Sequence, residues 1–302
     1  MRSPIPAIAL VTARAARELD EDLAPLFATL SGAGAAVRVV EWDDAQIDWS
    51  HFDLALLRST WDYSTRLCEF LDWAERASTS TQLLNPMPVV RWNTDKHYLA
   101  ELLQADVRTV PSSFVEPGES ASRAMNEFLL QQAASEFVVK PAISSGARDA
   151  QRYGRRELAA AILHIQRLQD AERSVIVQPY LDRVDAEGET ALIYFAGRFS
   201  HAICKGPLLR RGEGPVRALF AAERISARVP KLDELRTAER ALGAIPFAMP
   251  LYARVDLIRD ADAAPCVLEL ELTEPSLFFA HAAGSVERFA TLLLKYPLNG
   301  GP

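Results

Sequence analysis

The sequence predicts an α/β chain that becomes α+β towards its end: a parallel α/β first third, a small central part, and a final third of mainly antiparallel sheet. Three observations carry this expectation. Short apolar runs at 8–12, 37–42 and 54–58 alternate with an amphipathic segment at 19–30. Prolines then break the pattern in NPMP at 85–88. In the last third, alternating runs at 190–195, 199–205, 250–258 and 266–272 follow one another as strands.

IALVT at 8–12 is too short for a membrane span and runs into polar sequence, so it reads as the first strand. GAGAAV at 32–37 precedes a strand instead of following one, which makes it a turn and not a dinucleotide loop. A boundary is expected near residue 90. Asn93 or Thr94 can cap a helix that continues through Tyr98, Leu99, Leu102 and Leu103. Another helix should cover 120–133, followed by a strand over 137–140 and a helix over 155–169. The strand in SVIVQPYL should end at Gln178, because Pro179 has no N–H for a ladder. Gly197 sits between two late runs as a hairpin turn, and a helix over 285–295 closes the sequence.

With 302 residues, 49% hydrophobic and 24% charged, the chain can bury a large core divided into subdomains. A net charge of −7 argues against nucleic acid as a partner, since phosphate neutralisation needs a concentrated basic surface. No window is apolar for the length a membrane helix needs. Cys68, Cys204 and Cys266 lack CxxC spacing and fit reduced thiols of a cytoplasmic protein.

The chemistry concentrates in PCVLELELTEPS. In a strand, Leu268, Leu270 and Leu272 would face inward while Glu269, Glu271 and Thr273 project from the other face. In YARVDLI, Arg254 and Asp256 likewise share a face opposite Ala253, Val255 and Leu257. Were the two strands neighbours, Asp256, Glu269 and Glu271 would repel one another unless a cation lay between them, and an oxygen-only set favours Mg²⁺ or Mn²⁺. A solvated charged sheet face is the competing explanation. Magnesium bound by few carboxylates usually shares nucleotide phosphates. EFVVKPAISSGAR supplies the complement: Lys140 at a strand end, Arg148, and a loop of Ser144, Ser145, Gly146 and Ala147 small enough for backbone N–H groups to reach a phosphate. No GxxxxGK[ST] loop occurs.

Substrate choice is expected from RSTWDY at the end of the third strand, where ligands of parallel sheets sit. Arg58 would fix a carboxylate, Asp62 an ammonium group, and Ser59, Trp61 and Tyr63 would wall the pocket; a packed loop is the alternative. Arg210 and Arg211 could cover an acyl phosphate or form an exposed basic loop. Of the five histidines only His201, on the strand leading to Lys205, sits near this chemistry.

A phosphate site without a Walker loop, followed by a late carboxylate site, resembles the ATP-grasp superfamily over nearly the whole chain. LALLRST, the NP at Asn85 and NTDK at 93–96 resemble its glutathione-synthetase-like branch; RSTWDY, FVVKPAISSGARD, QPYL and GRFSHAICK are most similar to the group that cyclises O-ureidoserine to cycloserine. The resemblance implies an N-terminal substrate-side domain (1–92), a central lid domain (93–180) and a C-terminal domain with the Mg site (181–302). It implies that Lys96 and Lys140 flank the phosphates of ATP, that 144–148 is the lid loop, and that Gln178, Tyr180 and Leu181 take the adenine. Glu189 would hold the ribose, with Asp182 and Glu187 as competitors, and Lys205 would add a phosphate contact. Asp256, Glu269 and Glu271 match the magnesium ligands, although relatives often carry asparagine at the position of Glu271. Arg254 resembles the arginine that steadies developing negative charge.

The expected activity is an ATP- and Mg²⁺-dependent C–N ligase that activates an amino-acid carboxylate as an acyl phosphate, in its narrow form closing O-ureidoserine to cycloserine. An intermolecular amide or dipeptide ligase, a non-catalytic nucleotide-binding module and a metal hydrolase are the alternatives. The partner is a small amino-acid-like molecule, with assembly as a homo-oligomer left open.

Overall fold

A computed structural model describes residues 5–215 and 224–298. The first sheet is parallel throughout, built from β1 (Ala7–Thr12), β2 (Ala36–Glu41), β3 (Leu54–Ser59) and β4 (Gln82–Leu84) in the order β2-β1-β3-β4. Its central strands are buried along almost their whole length, because α1 (Leu23–Gly32) covers one face while α2 (Leu67–Ser78) and α3 (Met87–Asn93) cover the other.

The second sheet is antiparallel. After α4 (Tyr98–Gln104) come β5 (Ser113–Val115), α5 (Ala121–Gln131), β6 (Glu136–Pro141), β7 (Gln151–Gly154), α6 (Leu158–Gln169) and β8 (Val175–Pro179), in the sheet order β5-β8-β6-β7. Phe137, Val139, Val175 and Val177 pack on α5 and α6, so the alternate residues Val138, Lys140 and Gln178 face the other way.

The third sheet follows α7 (Arg183–Glu187). Strands β9 (Glu189–Phe195), β10 (Arg198–Lys205), β11 (Ile225–Arg228), β12 (Tyr252–Arg259) and β13 (Pro265–Glu271) lie antiparallel in the order β11-β10-β9-β12-β13, with α8 (Leu232–Gly243) on the face of Leu192, Ala253, Val255 and Leu257. The opposite face is divided. Ile193, Phe195, Ile203 and Tyr252 join the core that includes α1 and the last helix α9 (Ser285–Leu294), whereas Glu189, Lys205, Arg254, Asp256, Glu269 and Glu271 occupy its other part.

Several expectations change in the folded chain. The first helix begins at Leu23, not at 19, because Asp20 and Asp22 turn towards Arg58 and the Asp22 carboxylate accepts backbone N–H groups of Leu277, Phe278 and Phe279. Asn93 and Thr94 do not cap α4. Asn93 ends α3, with its side chain bonded to the backbone of Leu270 and Leu272, while Asp95 accepts the N–H of His97 at the start of α4. Strand β8 includes Pro179, opposite Phe137 and past the end of β5, where no ladder donor is required.

The leucine alternation in β13 also fails at one point. Asp256 faces Glu269 but Leu257 faces Val267, so a bulge at Leu268 turns that side chain out of the core and Val267 replaces it inside. Ala196 and Gly197, both at positive φ, make the turn between β9 and β10. The short β4, β5, β7 and β11, and helices α2, α3, α7 and α8, were not expected. The strands are too brief for a period to register, and α2 and α8 carry so many charges that their apolar stripe is narrow. No helix among the described residues is long and apolar enough to cross a membrane.

Candidate active site

A cleft lies between the second and third sheets. Its walls come from β6 and β8 on one side and β9, β10, β12 and β13 on the other, with the ends of α3 and the 61–63 turn closing one end. Lys96, Lys140, Ser144, Ser145, Gly146, Gln178, Tyr180, Leu181, Glu189, Lys205, Arg254, Glu269, Glu271 and Tyr63 all line it. These residues are spread over more than two hundred positions of sequence. Only the packing of two sheets brings them together.

The basic groups are held by acids and by the loop. Lys96 Nζ donates to the carbonyl and hydroxyl oxygens of Ser144, at 3.0 and 3.1 Å, which closes the 144–149 loop over the cleft. Gly146, Ala147 and Asp149 sit at positive φ, and Asp149 is anchored by Arg167 and Arg173. Lys140 Nζ lies 2.9 Å from Glu269 Oε1, and Lys205 Nζ lies 2.7 Å from Asp256 Oδ2 and pairs also with Glu189. Arg254 grips Asp256 through two bonds of 2.8 Å and reaches Glu271 as well.

Burial in this charged setting separates the acids. It would raise the Asp256 carboxyl, but Arg254 and Lys205 outweigh it and hold the group well below the usual range. Glu269 is likewise buried, yet Lys140 and Lys96 bring it down to about 2. For Glu271, burial prevails over Arg254, and Asp256 adds repulsion, so its pKa rises to about 7. Burial lowers Lys96 against the attraction of Glu269, while Asp256 and Glu271 overcome burial to raise Arg254. Asp256 and Glu269 are therefore held ionised against Arg254, Lys205 and Lys140, ready for exchange with a charged ligand, whereas Glu271 changes charge close to neutral pH.

The remaining expected residues are elsewhere. Asp256 lies beneath the cleft, 1% exposed, as the group that orients Arg254 and Lys205. Arg148 does not line the cavity. Of the three acids considered for the ribose, Glu189 lines the cleft, whereas Glu187 pairs with Arg183 at 2.9 Å. The backbone N–H of Tyr180 is used by Glu136 O, and Gln178 Nε2 donates to Ser112. Arg210 is exposed and pairs with Glu213, while Arg211 leans on Glu136; from that loop Leu208 and Leu209 line the cleft instead. His201 is buried, its Nε2 bonded to Leu277 O.

The substrate residues change most. Arg58 is fully buried against Asp20 and Asp22 and donates to Pro275 O at 3.2 Å; Ser59 bonds Thr12. Asp62 accepts from Trp42 Nε1 and pairs with Arg66, away from the cleft. Trp61 and Tyr63 do line it. Sequence reasoning missed Glu274, a buried carboxyl on the same cleft wall as Tyr63. It follows the end of β13 and falls out of step with Glu269 and Glu271, so no strand period selects it. The only local signal was a third acid in ELELTEP.

Among the described residues no group of three or more His, Cys, Asp or Glu side chains is spaced to hold a metal ion, because each expected ligand is closed on a cation. The donor chemistry nevertheless fits a hard divalent ion. Asp256 and Glu269 are directly opposed across β12 and β13 and Glu271 is two positions on, so the donors are carboxylate oxygens alone.

Comparison with known proteins adds the following. The family described as D-cycloserine synthetase DcsG, N-terminal domain, matches residues 8–85. The chain is similar to the cycloserine biosynthesis protein DcsG of Streptomyces lavendulae, at 40% identity over 292 residues that cover 95% of this chain and 97% of that protein. The crystal structure of D-cycloserine synthetase DcsG is similar with a TM-score of 0.90 and 39% identity, covering 96% of this chain and 99% of that one. The ATP-grasp ligase PsnB, complexed with a phosphomimetic variant of its minimal precursor, Mg and ADP, shares the fold at a TM-score of 0.65 and 16% identity, covering 97% of this chain and 100% of that one.

Proposed function

The chain belongs to the D-cycloserine synthetase DcsG family, ATP-dependent ligases of the ATP-grasp fold, and on that premise we propose that it activates the carboxylate of an amino acid as an acyl phosphate and closes a C–N bond, with O-ureidoserine as substrate and cycloserine as product. The observation that carries this reading is the single cleft in which Lys96, Lys140, Lys205 and Arg254 meet Glu269 and Glu271 between two sheets.

A free carboxylate resists attack by nitrogen because its charge is delocalised and oxide is a poor leaving group. Phosphorylation by ATP removes both obstacles. Lys96 and Lys140 would bind the phosphates, with the small loop of Ser144, Ser145 and Gly146 folded over them and Arg148 beside it. Gln178, Tyr180 and Leu181 would hold the adenine and Glu189 the ribose. Lys205 would contact the transferred phosphoryl group.

Asp256, Glu269 and Glu271 would hold Mg²⁺, or Mn²⁺ on the same oxygen chemistry; once bound, the ion supplies positive charge against the triphosphate. When an ammonium or guanidinium partner lets go of one of these carboxylates, its own charge becomes available to the phosphates. Arg254, anchored from below by Asp256, is preorganised to stabilise the oxyanion that forms when nitrogen attacks the acyl carbon. In O-ureidoserine the nucleophile is the nitrogen bonded to the side-chain oxygen, so one substrate provides both partners of the new bond. Inorganic phosphate leaves from the acyl carbon, and hydrolysis of the N-carbamoyl bond, in which water returns a proton to the ring nitrogen and the carbamoyl group departs as carbon dioxide and ammonia, completes cycloserine.

The test is ADP release by the purified protein with Mg-ATP, across a panel of amino acids including O-ureidoserine, with product mass determined. Turnover with O-ureidoserine that falls by about 10²-fold or more in Lys140→Ala is expected. A product mass corresponding to two joined amino acids would favour the intermolecular ligase instead, and nucleotide binding without turnover on any acceptor would remove the catalytic reading.

A further inference from the structure

The residue expected to receive a substrate ammonium group, Asp62, is committed to Trp42 and Arg66. The cleft contains another acid suited to that task. Glu189 is paired with Lys205, Glu269 with Lys140 and Glu271 with Arg254. Glu274, only 8% exposed, shares the cleft wall with Tyr63 and forms no ion pair among the described residues. A carboxylate out of water without a cation is costly, and proteins keep one where a ligand brings the missing charge.

Its place is fixed from several directions. The Trp61 indole N–H donates to Glu274 O at 3.1 Å, Arg58 holds Pro275 O, and His201 is bonded to Leu277 O. Asp22 accepts the N–H groups of Leu277, Phe278 and Phe279 at 2.6, 2.9 and 2.8 Å. So rigid a mounting gives the carboxyl one position on the cleft wall, which is what preorganised recognition requires. The nearest positive charges, Lys96 and Arg254, are engaged with Ser144 and with Asp256 and Glu271. Burial, with Glu271 adding, pushes the Glu274 carboxyl up to about 8, as befits a site that ionises when a cation arrives.

We propose that the Glu274 carboxylate, with the Tyr63 hydroxyl beside it, receives the primary ammonium group of the substrate and thereby selects an amino acid over the corresponding acid that lacks the amine. This rests on the ligase reading above and deepens it. A nitrogen held as ammonium has no lone pair to offer, so Glu274 also keeps the amine from attacking the acyl phosphate and leaves the reaction to the substrate's other nitrogen.

The experiment measures ADP release with Mg-ATP for paired acceptors: each amino acid of the panel, O-ureidoserine included, and its counterpart with hydrogen in place of the amino group. The wild type is expected to prefer the aminated member by about 100-fold in kcat/KM. In Glu274→Gln that preference should fall below about threefold, through KM for the acceptor and with KM for ATP changed by less than about twofold. Tyr63→Phe should move the preference in the same direction by less, and it decides the matter if Glu274→Gln does not fold. A preference that survives in these variants overturns the proposal, as does a wild type that accepts both members equally or only the deaminated ones, while leaving the ligase intact. If no acceptor of either kind elicits ADP release, the ligase reading itself falls and this one with it.

Discussion

Glu274 illustrates how one side chain couples stability to the site. An unfolded glutamate titrates near 4.5, whereas the buried Glu274 is raised to about 8. Across that interval the native state keeps a proton the unfolded chain has released, so its contribution to stability declines as the pH rises from the lower value to the higher. Glu271, at about 7, acts in the same sense. Glu269, held at about 2 against its burial by Lys140 and Lys96, contributes stability above 4.5 that is lost only as the pH falls towards that lower value. In Glu274→Gln the fall in Tm of the ligand-free protein between pH of about 5.5 and about 8 should therefore be smaller than in the wild type. Equal slopes in thermal melts would show that Glu274 is not held protonated. At this scale the sequence was informative about charge and not about partners. Lys140, Glu269 and Arg254 are on the cleft as expected, while Arg58 and Asp62 are taken by neighbours that no local pattern reveals.

At the scale of elements, the segment after β13 is the joint between the layers. Asn85, next to β4, donates from Nδ2 to Tyr252 O and Leu272 O and accepts from Leu251 N, so one buried amide ties the first sheet to β12 and to the end of β13. Asn93 repeats the arrangement one helix later, on Leu270 and Leu272. Asn85→Ala would leave three buried backbone groups without partners and should cost about 3 kcal/mol or more, seen as an earlier midpoint in urea unfolding. A midpoint within error of the wild type would show that water or a shift of β12 replaces the amide. The longer strands were legible because their periods and turn residues are local, as with Gly197 in the β9–β10 turn. The bulge at Leu268 was not, since it is defined by the register of β13 against β12.

For the whole molecule, the site exists because two antiparallel sheets with helices on their outer faces turn polar halves towards each other. Ligand that bridges them should stabilise the fold as a unit. A non-hydrolysable ATP analogue at a hundred times its Kd, with Mg²⁺, is expected to add about 2.7 kcal/mol and raise Tm. Chelation of the metal with EDTA should reverse most of that gain, because Asp256, Glu269 and Glu271 would lose the ion that joins them to the triphosphate. A shift indifferent to EDTA would remove the carboxylate metal site while leaving the nucleotide site in place.

The sequence by itself determined the longer strands and the order in which they come, the charged face of β12 and β13, and the resemblance that led to an ATP-dependent ligase. These follow from backbone periodicity and residue chemistry within a few positions of one another. Tertiary structure decided which charges are available. Arg58 meets Pro275 across 217 positions, and Tyr63 shares the cleft wall with Glu274 across a comparable span, so both neighbourhoods were settled only when the first sheet docked on the third. Electrostatic and hydrogen-bonding partners are chosen by distance in space, and burial fixes their strength, which is why an alternating pattern could point to Asp256, Glu269 and Glu271 and could not reveal Glu274, the acid on the cleft without an ion pair among the described residues.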